Sequence, residues 1–445
     1  MGDLFGTDGV RGEANQYLTA ELAFKIGKAG SYYLSQEEES PKILIGKDTR
    51  QSGDMLEAAL IAGITSLGID VVKIGVVPTP AVAYLTKTKD VNAGIMISAS
   101  HNPVEDNGIK FFNKDGFKLS DDQEEEIEGI IFDSLDKISL PSGDKVGKVK
   151  FIHDGLADYI NYIKSTVDNN FSGLKVVIDC ANGAAFKAAP QVLEELGAEV
   201  IAIHNNPTGL NINVNCGSTN PEVIKEAVLN YEADLGIAHD GDADRLIAVD
   251  DKGNLVDGDY ILAICGRELI RERRLTDNTI VATKYSNLGL HQAMNELNGQ
   301  VSVVKNGDRY VLAEMKEKNY ILGGEKSGHI IFLDYNTTGD GILTALQLID
   351  IIKKTGKNLS ELRQEMIAFP QLLVNIEVED KDWENNKNID SILKESEKIL
   401  GDNGRIFVRA SGTEPLIRVM VEGEGEEEIE KLANNVAKVI RTELN

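Results

Sequence analysis

The sequence predicts an α/β fold of several domains, closed by an α+β domain. Three observations carry that prediction. At 445 residues the chain exceeds the size at which one core stops growing, so several domains are expected. One pattern recurs three times: an apolar strand, a polar loop, a helix, a glycine, then a second strand. The pattern stops before Pro370, and strands and helices then follow in a different order.

In the first copy Lys42–Lys47 is the strand, a helix runs near 55–67, and Val71–Ile74 follows Gly68. In the second, Val176–Asp179 leads to a helix near 186–196, then Gly197 and Glu199–Ile203. In the third, Thr279–Thr283 precedes a helix near 290–297, then Gly299 and Val301–Val304. Each copy reads as a βαβ unit with a C-cap glycine, which favours parallel strands covered by helices. The pattern alone leaves open whether the three are equivalent domains. Helices are then expected over 341–354 and 359–368. Leu372–Val378 alternates like a half-buried strand, a charged helix runs over 390–400, strands occupy 405–408 and 417–421, and a last helix starts near Glu426. The acidic runs Asp121–Glu128 and Glu422–Glu428 read as solvated helix faces.

Hydrophobic content of 42% and charged content of 27% describe a globular chain with a sizeable core. A net charge of -26 argues against nucleic-acid binding through a global basic field. A phosphorylated ligand would need a local cluster of Lys and Arg. Cys180, Cys216 and Cys265 are scattered and form no C-x-x-C, so neither a disulfide framework nor a zinc site is expected, and a reducing cytoplasm fits. Neither a signal pattern nor a membrane-spanning apolar run is present, so no membrane association is expected.

Five loops carry chemistry. Gly94–Ile97 reads as a buried strand ending at Ser98-Ala99-Ser100-His101-Asn102-Pro103, and a serine at a strand end can carry a phosphoryl group if a cation neutralises it. His101 neighbours Ser100 in sequence, so its side chain is expected to diverge, and no Ser-His-Asp triad is indicated. Asp240-Gly241-Asp242-Ala243-Asp244-Arg245 lies between two apolar strands. In an extended segment its carboxylates converge and call for a hard cation, Mg2+ best. An EF-hand would want Gly and Glu where Arg245 and Asp251 stand. Arg245 is suited to bidentate phosphate binding. Gly323–His329 offers Glu325 and Ser327 to sugar hydroxyls and His329 as an acid or base. Arg409-Ala410-Ser411-Gly412-Thr413-Glu414-Pro415, with Arg418 beyond, reads as an anion nest, the plain alternative being a polar hairpin loop. Phe5–Gly12, with three glycines and Arg11, can approach a phosphate; it is neither a P-loop nor a G-x-G-x-x-G fingerprint.

Together these loops resemble, in order and over the whole length, those of the α-D-phosphohexomutases. Ile212-Asn213 with Cys216–Thr219, and Gly307-Asp308-Arg309-Tyr310-Val311, resemble the members that act on amino sugars. The resemblance implies three similar α/β/α domains with mixed, largely parallel sheets and a smaller C-terminal α+β domain around a central cleft, spanning 1–150, 151–253, 254–368 and 369–445. It implies interconversion of glucosamine 6-phosphate and glucosamine 1-phosphate, on the route to UDP-N-acetylglucosamine. The alternative is phosphoglucomutase or phosphomannomutase activity. Ser100 would be the phosphoserine, and Asp240, Asp242 and Asp244 would hold Mg2+ with an oxygen on Ser100. Arg11, His101, Lys110, Arg245 and His329 would be catalytic. Glu325, Ser327, Gly307 and Asp308 would meet the sugar, and Arg409, Ser411, Gly412, Thr413 and Arg418 its non-reacting phosphate. A sugar 1,6-bisphosphate would be intermediate and activator, and a homodimer is carried over from the family. Lys326 stands where Gln is usual, Ala410 where Pro is usual, and Asn306 where another small residue is common. A metal-dependent phosphatase and a non-catalytic sugar-phosphate sensor are the readings from other classes.

Overall fold

The structure is a computed structural model, and it describes residues 4–6, 8–36, 39–410 and 415–444. The chain opens with β1 (Val10–Glu13) and α1 (Ala20–Leu34), whose N-terminus Thr19 caps by accepting from Leu22 N. The first repeat copy follows as β2 (Lys42–Lys47), α2 (Ser52–Thr65), β3 (Asp70–Val76), α3 (Thr79–Thr88) and β4 (Ala93–Ile97). β5 (Asp106–Asn113) returns antiparallel beside β4. Then come α4 (Asp121–Gly129), opened by a Ser120–Gln123 capping box, and the edge strand β6 (Val149–Phe151). The six strands lie in the order β1-β5-β4-β2-β3-β6.

After α5 (Gly155–Lys164) the scheme repeats with β7 (Lys175–Asp179), α6 (Ala185–Glu195), β8 (Glu199–Ile203), α7 (Pro221–Tyr231), β9 (Leu235–Ala238) and the antiparallel return β10 (Ile247–Asp250). β11 (Leu255–Val256) extends the edge, giving β11-β10-β9-β7-β8. α8 (Gly258–Arg271) leads to the third copy: β12 (Thr279–Thr283), α9 (Leu288–Asn295), β13 (Gln300–Val304), α10 (Asp308–Lys318), β14 (Leu322–Gly324) and the return strand β15 (Ile330–Phe332). Its order is β13-β12-β14-β15.

One arrangement therefore occurs three times. The first two strands and the last strand of each copy are parallel, and a fourth strand turns back against the last. The equivalence left open by the pattern is real. Each turn-back also carries one of the chemical loops: Ser100 between β4 and β5, Asp240–Asp244 between β9 and β10, Glu325–His329 between β14 and β15. Gly68 and Gly197 adopt the left-handed conformation after their helices, but after α9 that position is Asn298, with Gly299 next.

The helices α11 (Gly341–Thr355) and α12 (Leu359–Leu362) follow. The helix expected to reach Ala368 ends instead in a 3₁₀ turn over Arg363–Glu365. Phe369 precedes Pro370, which disfavours helix there, and its N–H donates to Asn287 Oδ1 rather than to a helix carbonyl.

Residues 1–285 with 299–365 form one compact unit, and 286–298 with 366–445 form a second. The second unit holds β16 (Gln371–Glu377), α13 (Lys387–Leu400), β17 (Arg405–Ala410), β18 (Leu416–Glu422) and α14 (Glu426–Leu444), together with α9. Its sheet is antiparallel with β18 central, and Ile417, Val419 and Val421 bury against Leu432, Val436 and Ile440 of α14. This matches the expected α+β domain.

The acidic runs are not wholly solvated. Glu124 and Glu128 on α4 are buried, and Glu128 Oε1 accepts from Leu4 N at 2.7 Å and Phe5 N at 2.6 Å, pinning the N-terminal segment. Glu422 is fully buried and accepts from Arg405 Nε at 2.6 Å and Leu288 N at 2.9 Å. Fixed backbone donors and a guanidinium replace the water these carboxylates give up.

Candidate active site

Ser100 sits at the C-terminal end of β4 with φ 53°, a left-handed conformation rare for a residue with a Cβ. The surroundings over-determine it. Ser98 Oγ accepts from Ser100 N at 2.9 Å and donates to Asp48 Oδ2 at 2.6 Å. Asp48 also accepts from Arg50 Nε at 3.0 Å, both side chains being fully buried. The Arg50 guanidinium then donates to four carbonyls of the serine loop: Ser100 at 3.0 Å, Asn102 at 2.8 Å, Asp106 at 3.0 Å, and Pro103. Asn213 Nδ2 reaches the Ser100 carbonyl from the second repeat at 2.8 Å. The loop is thus held from two sides by groups that make no contact with its hydroxyl.

Ser100 Oγ donates to Asp240 Oδ2 at 2.5 Å. Asp240, Asp242 and Asp244 are all buried, and one oxygen from each lies within 4.8 Å of the others. They converge as expected, but by a different device. The segment is a turn rather than an extended run, with Ala243 at φ 59°. Thr79 Oγ1 donates to Asp242 Oδ2 at 2.6 Å and Lys110 Nζ does so at 2.9 Å. Asp242 Oδ1 and Asp244 Oδ1 are buried with no hydrogen-bond partner. Burial, with Asp244 and Asp242 adding to it, pushes Asp240 up to about 8. Two orphaned oxygens and a carboxylate that resists ionising are the marks of a site built for a cation. The three side chains can hold a metal ion, and an all-oxygen donor set suits a hard one.

Cationic side chains surround the carboxylates. Lys110 is buried, 3.0 Å from Asp8 Oδ2 and 3.8 Å from Asp244 Oδ2. Burial works against its charge, but Asp242, Asp8 and Asp244 outweigh that and raise its pKa. Arg11 pairs with Asp8, and Lys118 bridges Asp8 and Asp308 at 2.5 Å each. Burial opposes ionisation of Asp8, yet Lys110, Lys118 and Arg11 hold it well below the carboxylate range. Arg245 N donates to Asp240 Oδ1 at 3.3 Å, and its buried Nε lies 3.9 Å from Asp244 Oδ1.

Two histidines complete the cluster. Burial, then Arg245 and Arg11, lower His101 to about 4, so its ring is neutral near pH 7. Its Nδ1 lies 3.2 Å from Ser100 Oγ. That corrects the expectation that neighbouring side chains diverge: the left-handed backbone at Ser100 turns both to one side. His329 is buried, with Nδ1 3.6 Å from Asp244 and Nε2 3.7 Å from Asp308. Gly339 N donates to Nε2 at 3.1 Å, so the neutral ring carries its proton on Nδ1, facing Asp244. Burial lowers its basicity, but Asp244 and Asp308 raise it by more.

The Glu325–His329 loop lies against the metal loop. Leu246 N donates to Gly328 O at 3.0 Å, and a Cβ on Gly328, at φ +90°, would stand 2.0 Å from Leu246 O. Glu325 is half-buried and accepts from Gly307 N at 3.1 Å, while Ser327 is exposed. The Asp308 carboxylate, expected to meet the sugar, is engaged internally by Lys118 and Arg309 N.

Arg409 and Arg418 face each other across β17 and β18 in the second unit. Ser411, Gly412 and Thr413, expected in the phosphate loop, lie outside the described residues. Sequence reading missed Asp8, Asp48, Arg50, Thr79, Lys118 and Asn213. Asp8 and Asn213 lie inside two segments that the sequence marks, Phe5–Gly12 and Ile212-Asn213, but without a role of their own, and Arg50 falls in an ordinary polar loop; their partners Lys110, Lys118 and the Ser100 carbonyl are distant in sequence.

A central cluster of this kind, at three equivalent turn-backs, defines a phosphoryl-transfer site. Family comparison agrees with that class. The chain matches the four models of phosphoglucomutase/phosphomannomutase: α/β/α domain I over 2–137, domain II over 157–253, domain III over 257–369 and the C-terminal domain over 373–439. The chain belongs to this family of phosphohexomutases, isomerases that move a phosphoryl group within one sugar. More particularly, it is 53% identical to the phosphoglucosamine mutase of Clostridium novyi (strain NT), with all of both chains covered. Among solved structures it is similar to a phosphoglucomutase/phosphomannomutase family protein from Burkholderia thailandensis (TM-score 0.83, 24% identity, 99% and 98% covered). It is also similar to Aspergillus fumigatus N-acetylphosphoglucosamine mutase, in complex with GlcNAc-6P and magnesium (TM-score 0.70, 17% identity, 99% and 95% covered). Among the described residues, no helix is long and apolar enough to cross a membrane.

Proposed function

We propose that the chain interconverts glucosamine 6-phosphate and glucosamine 1-phosphate through a phosphorylated Ser100 and a sugar 1,6-bisphosphate. The observation that carries this reading is the 2.5 Å approach of Ser100 Oγ to Asp240, inside a carboxylate triad with two unpartnered oxygens. Identity of 53% over the full length to a phosphoglucosamine mutase supports the amino-sugar substrate.

Asp240, Asp242 and Asp244, with an oxygen on Ser100, would hold Mg2+. When bound, the ion supplies charge neutralisation at the transferring phosphoryl group. The chain's own residues do the rest. The sugar hydroxyl attacks phosphorus, the new O–P bond forms, and the Ser100 Oγ–P bond breaks. Arg245, Arg11 and Lys110 stabilise the charge on the phosphoryl oxygens. Lys110 stays protonated because its carboxylate neighbours raise its pKa against burial, so it serves as a fixed cation. The proton of the sugar hydroxyl ends on the Ser100 oxygen that the phosphoryl group leaves, and His329, held toward its charged form between Asp244 and Asp308, adds to the positive field rather than taking that proton. Neutral His101, beside Oγ, exchanges a proton with the released serine. The bisphosphate then turns over and returns its other phosphoryl group to Ser100. Glu325 and Ser327 read the sugar hydroxyls, with Gly307 placing Glu325. Arg409 and Arg418, with Ser411, Gly412 and Thr413, anchor the non-reacting phosphate.

Intact mass before and after incubation with glucose 1,6-bisphosphate, together with turnover of glucosamine, glucose and mannose phosphates, tests this. One added phosphate, absent in Ser100→Ala, and fastest turnover of the glucosamine ester are expected. Equal or faster turnover of mannose or glucose phosphate would replace the assignment with phosphomannomutase or phosphoglucomutase. Release of free phosphate without isomer would replace it with a phosphatase.

A further inference from the structure

Away from the aspartate triad, a second cluster of potential ligands sits at the strand ends of the second repeat. Asp179 ends β7, His204 follows β8, and Cys216 lies on the segment before α7. One donor atom from each lies within 4.8 Å of the others. Asp179 and Cys216 are fully buried. The His204 side chain is 33% exposed, which leaves a path from solvent. Its Nδ1 is 3.2 Å from Asp179 Oδ1, and that contact with the carboxylate raises the pKa of the ring. Backbone donors Ala181 N at 2.9 Å and Gly217 N at 2.8 Å orient the Asp179 carboxylate and leave each oxygen a further lone pair. The Cys216 thiol is free, and burial pushes its pKa up to about 12, so without a cation it keeps its proton.

We propose that Asp179, His204 and Cys216 form a second metal site, for a borderline-soft divalent cation of the zinc class. One carboxylate oxygen, one imidazole nitrogen and one thiolate suit that class, whereas the all-oxygen triad suits magnesium. On binding, the Sγ–H proton and the second ring proton that Asp179 favours on His204 leave to solvent as the metal–sulfur and metal–nitrogen bonds form. The sequence spacing hides the site, because Asp179, His204 and Cys216 sit on three separate segments, two at strand ends and one before α7.

The site's place in the fold gives it a consequence. Asp179 O accepts from His239 N at 3.0 Å, and His239 O accepts from Ser218 N at 2.9 Å, so the cluster lies beneath the residue preceding Asp240. Asn213, three residues before Cys216, holds the Ser100 carbonyl. A cation joining Cys216 to Asp179 therefore fastens the segment that supports the serine loop.

Titration of the whole protein with Co2+ in excess Mg2+ tests the proposal, because Mg2+ occupies the oxygen site and Co2+ reports sulfur ligation spectroscopically. One Co2+ per chain is expected, with a thiolate-to-cobalt charge-transfer band in the near ultraviolet. The band should survive in Cys180→Ser and vanish in Cys216→Ser. His204→Asn, a change at a partly exposed position, should weaken binding more than about tenfold. Zn2+ in the same Mg2+ excess should raise the thermal midpoint of the parent protein and not that of His204→Asn. Absence of the band, its survival in Cys216→Ser, or unaltered affinity in His204→Asn would overturn the site. If Cys216→Ser does not fold, the His204→Asn affinity and the midpoint shift decide.

Discussion

Two turn-backs of the same topology behave differently. The β9–β10 loop carries three fully desolvated carboxylates, cross-tied to Thr79, Lys110, Ser100 and Arg245. The β14–β15 loop carries a half-buried Glu325 and an exposed Ser327, held mainly through backbone contacts at Gly328 and Gly258. The first is a packed array of charges in which a change of one side chain disturbs several partners at once. The second fixes its backbone and leaves its side chains room. One scaffold thus separates phosphoryl chemistry from sugar recognition, and substitutions in the two loops should differ in which kinetic constant they move.

The largest effect is expected at the first loop. Asp242→Asn removes charge from the triad and from Lys110 at once. Turnover should fall on the order of 10² to 10³, as when a principal electrostatic contact to a transition state is lost. Steady-state kinetics at saturating Mg2+ measure this, and a fall below tenfold would show that the triad is not where the phosphoryl charge is met.

Arg50→Lys comes next, because it tests the support of the serine loop rather than its chemistry. Lysine keeps the charge but cannot serve Asp48 and four carbonyls together. A stability loss of a few kcal/mol is expected, in the range of a broken buried pair. A 1 Å displacement of Ser100 would lower kcat by up to about 10². KM for the sugar phosphate should hardly change. A rise in KM with kcat intact would place Arg50 at the substrate instead.

Glu325→Gln probes the other loop. Its Oε1 still accepts from Gly307 N, so the backbone should keep its course. The loss of charge toward a sugar hydroxyl or ammonium should raise KM about tenfold, roughly 1.4 kcal/mol, with a smaller change in kcat. The same measurement with glucosamine and glucose phosphates shows whether the loop discriminates between them. Lys326→Gln, replacing the departure in this loop, should sharpen any such preference. A collapse of kcat equal to that of Asp242→Asn would erase the distinction between the loops.

Much of this was legible in residue order, and the reason is local. The strands of the three βαβ units are short apolar runs, so Lys42–Lys47 and Thr279–Thr283 fall where periodicity puts them. Ser100 and the aspartates stand out because polar residues bunch between buried strands. What local pattern cannot show is partnership across the chain. Arg50 looks like an ordinary loop arginine until the fold brings it to Pro103 and Asp106. Glu128 looks like solvated helix surface until the N-terminal backbone docks on it. The turn at Ala243 was hidden for a related reason: an extended segment and a turn both bring alternate carboxylates together.

The smallest effect concerns α4, far from either loop in sequence but adjoining the Asp8–Lys118–Asp308 chain. Glu124 is pushed up to about 8, by burial first and then by Asp8, Glu128 and Asp308, against the opposing pull of Lys118. Arg309 Nη2, 3.3 Å from Glu124 Oε2, pulls with Lys118 toward the charged form, but burial and the surrounding carboxylates prevail, and the folded carboxyl keeps its proton over a range where the unfolded chain, near 4.5, has lost it. The sign follows from linkage: the folded state binds the extra proton between about pH 4.5 and 8, so stability declines as pH rises through that window. Glu124→Gln imitates the protonated acid and does not titrate. Arg309 keeps Asp121 as a partner in the variant. At pH 5 the two proteins should melt together. At pH 8 the variant should melt higher by a few degrees, which calorimetry at the two pH values resolves. Parallel melting curves across the window would mean that Lys118 already compensates the acidic chain, and that the charge balance holding α4 is as complete as that around the aspartate triad.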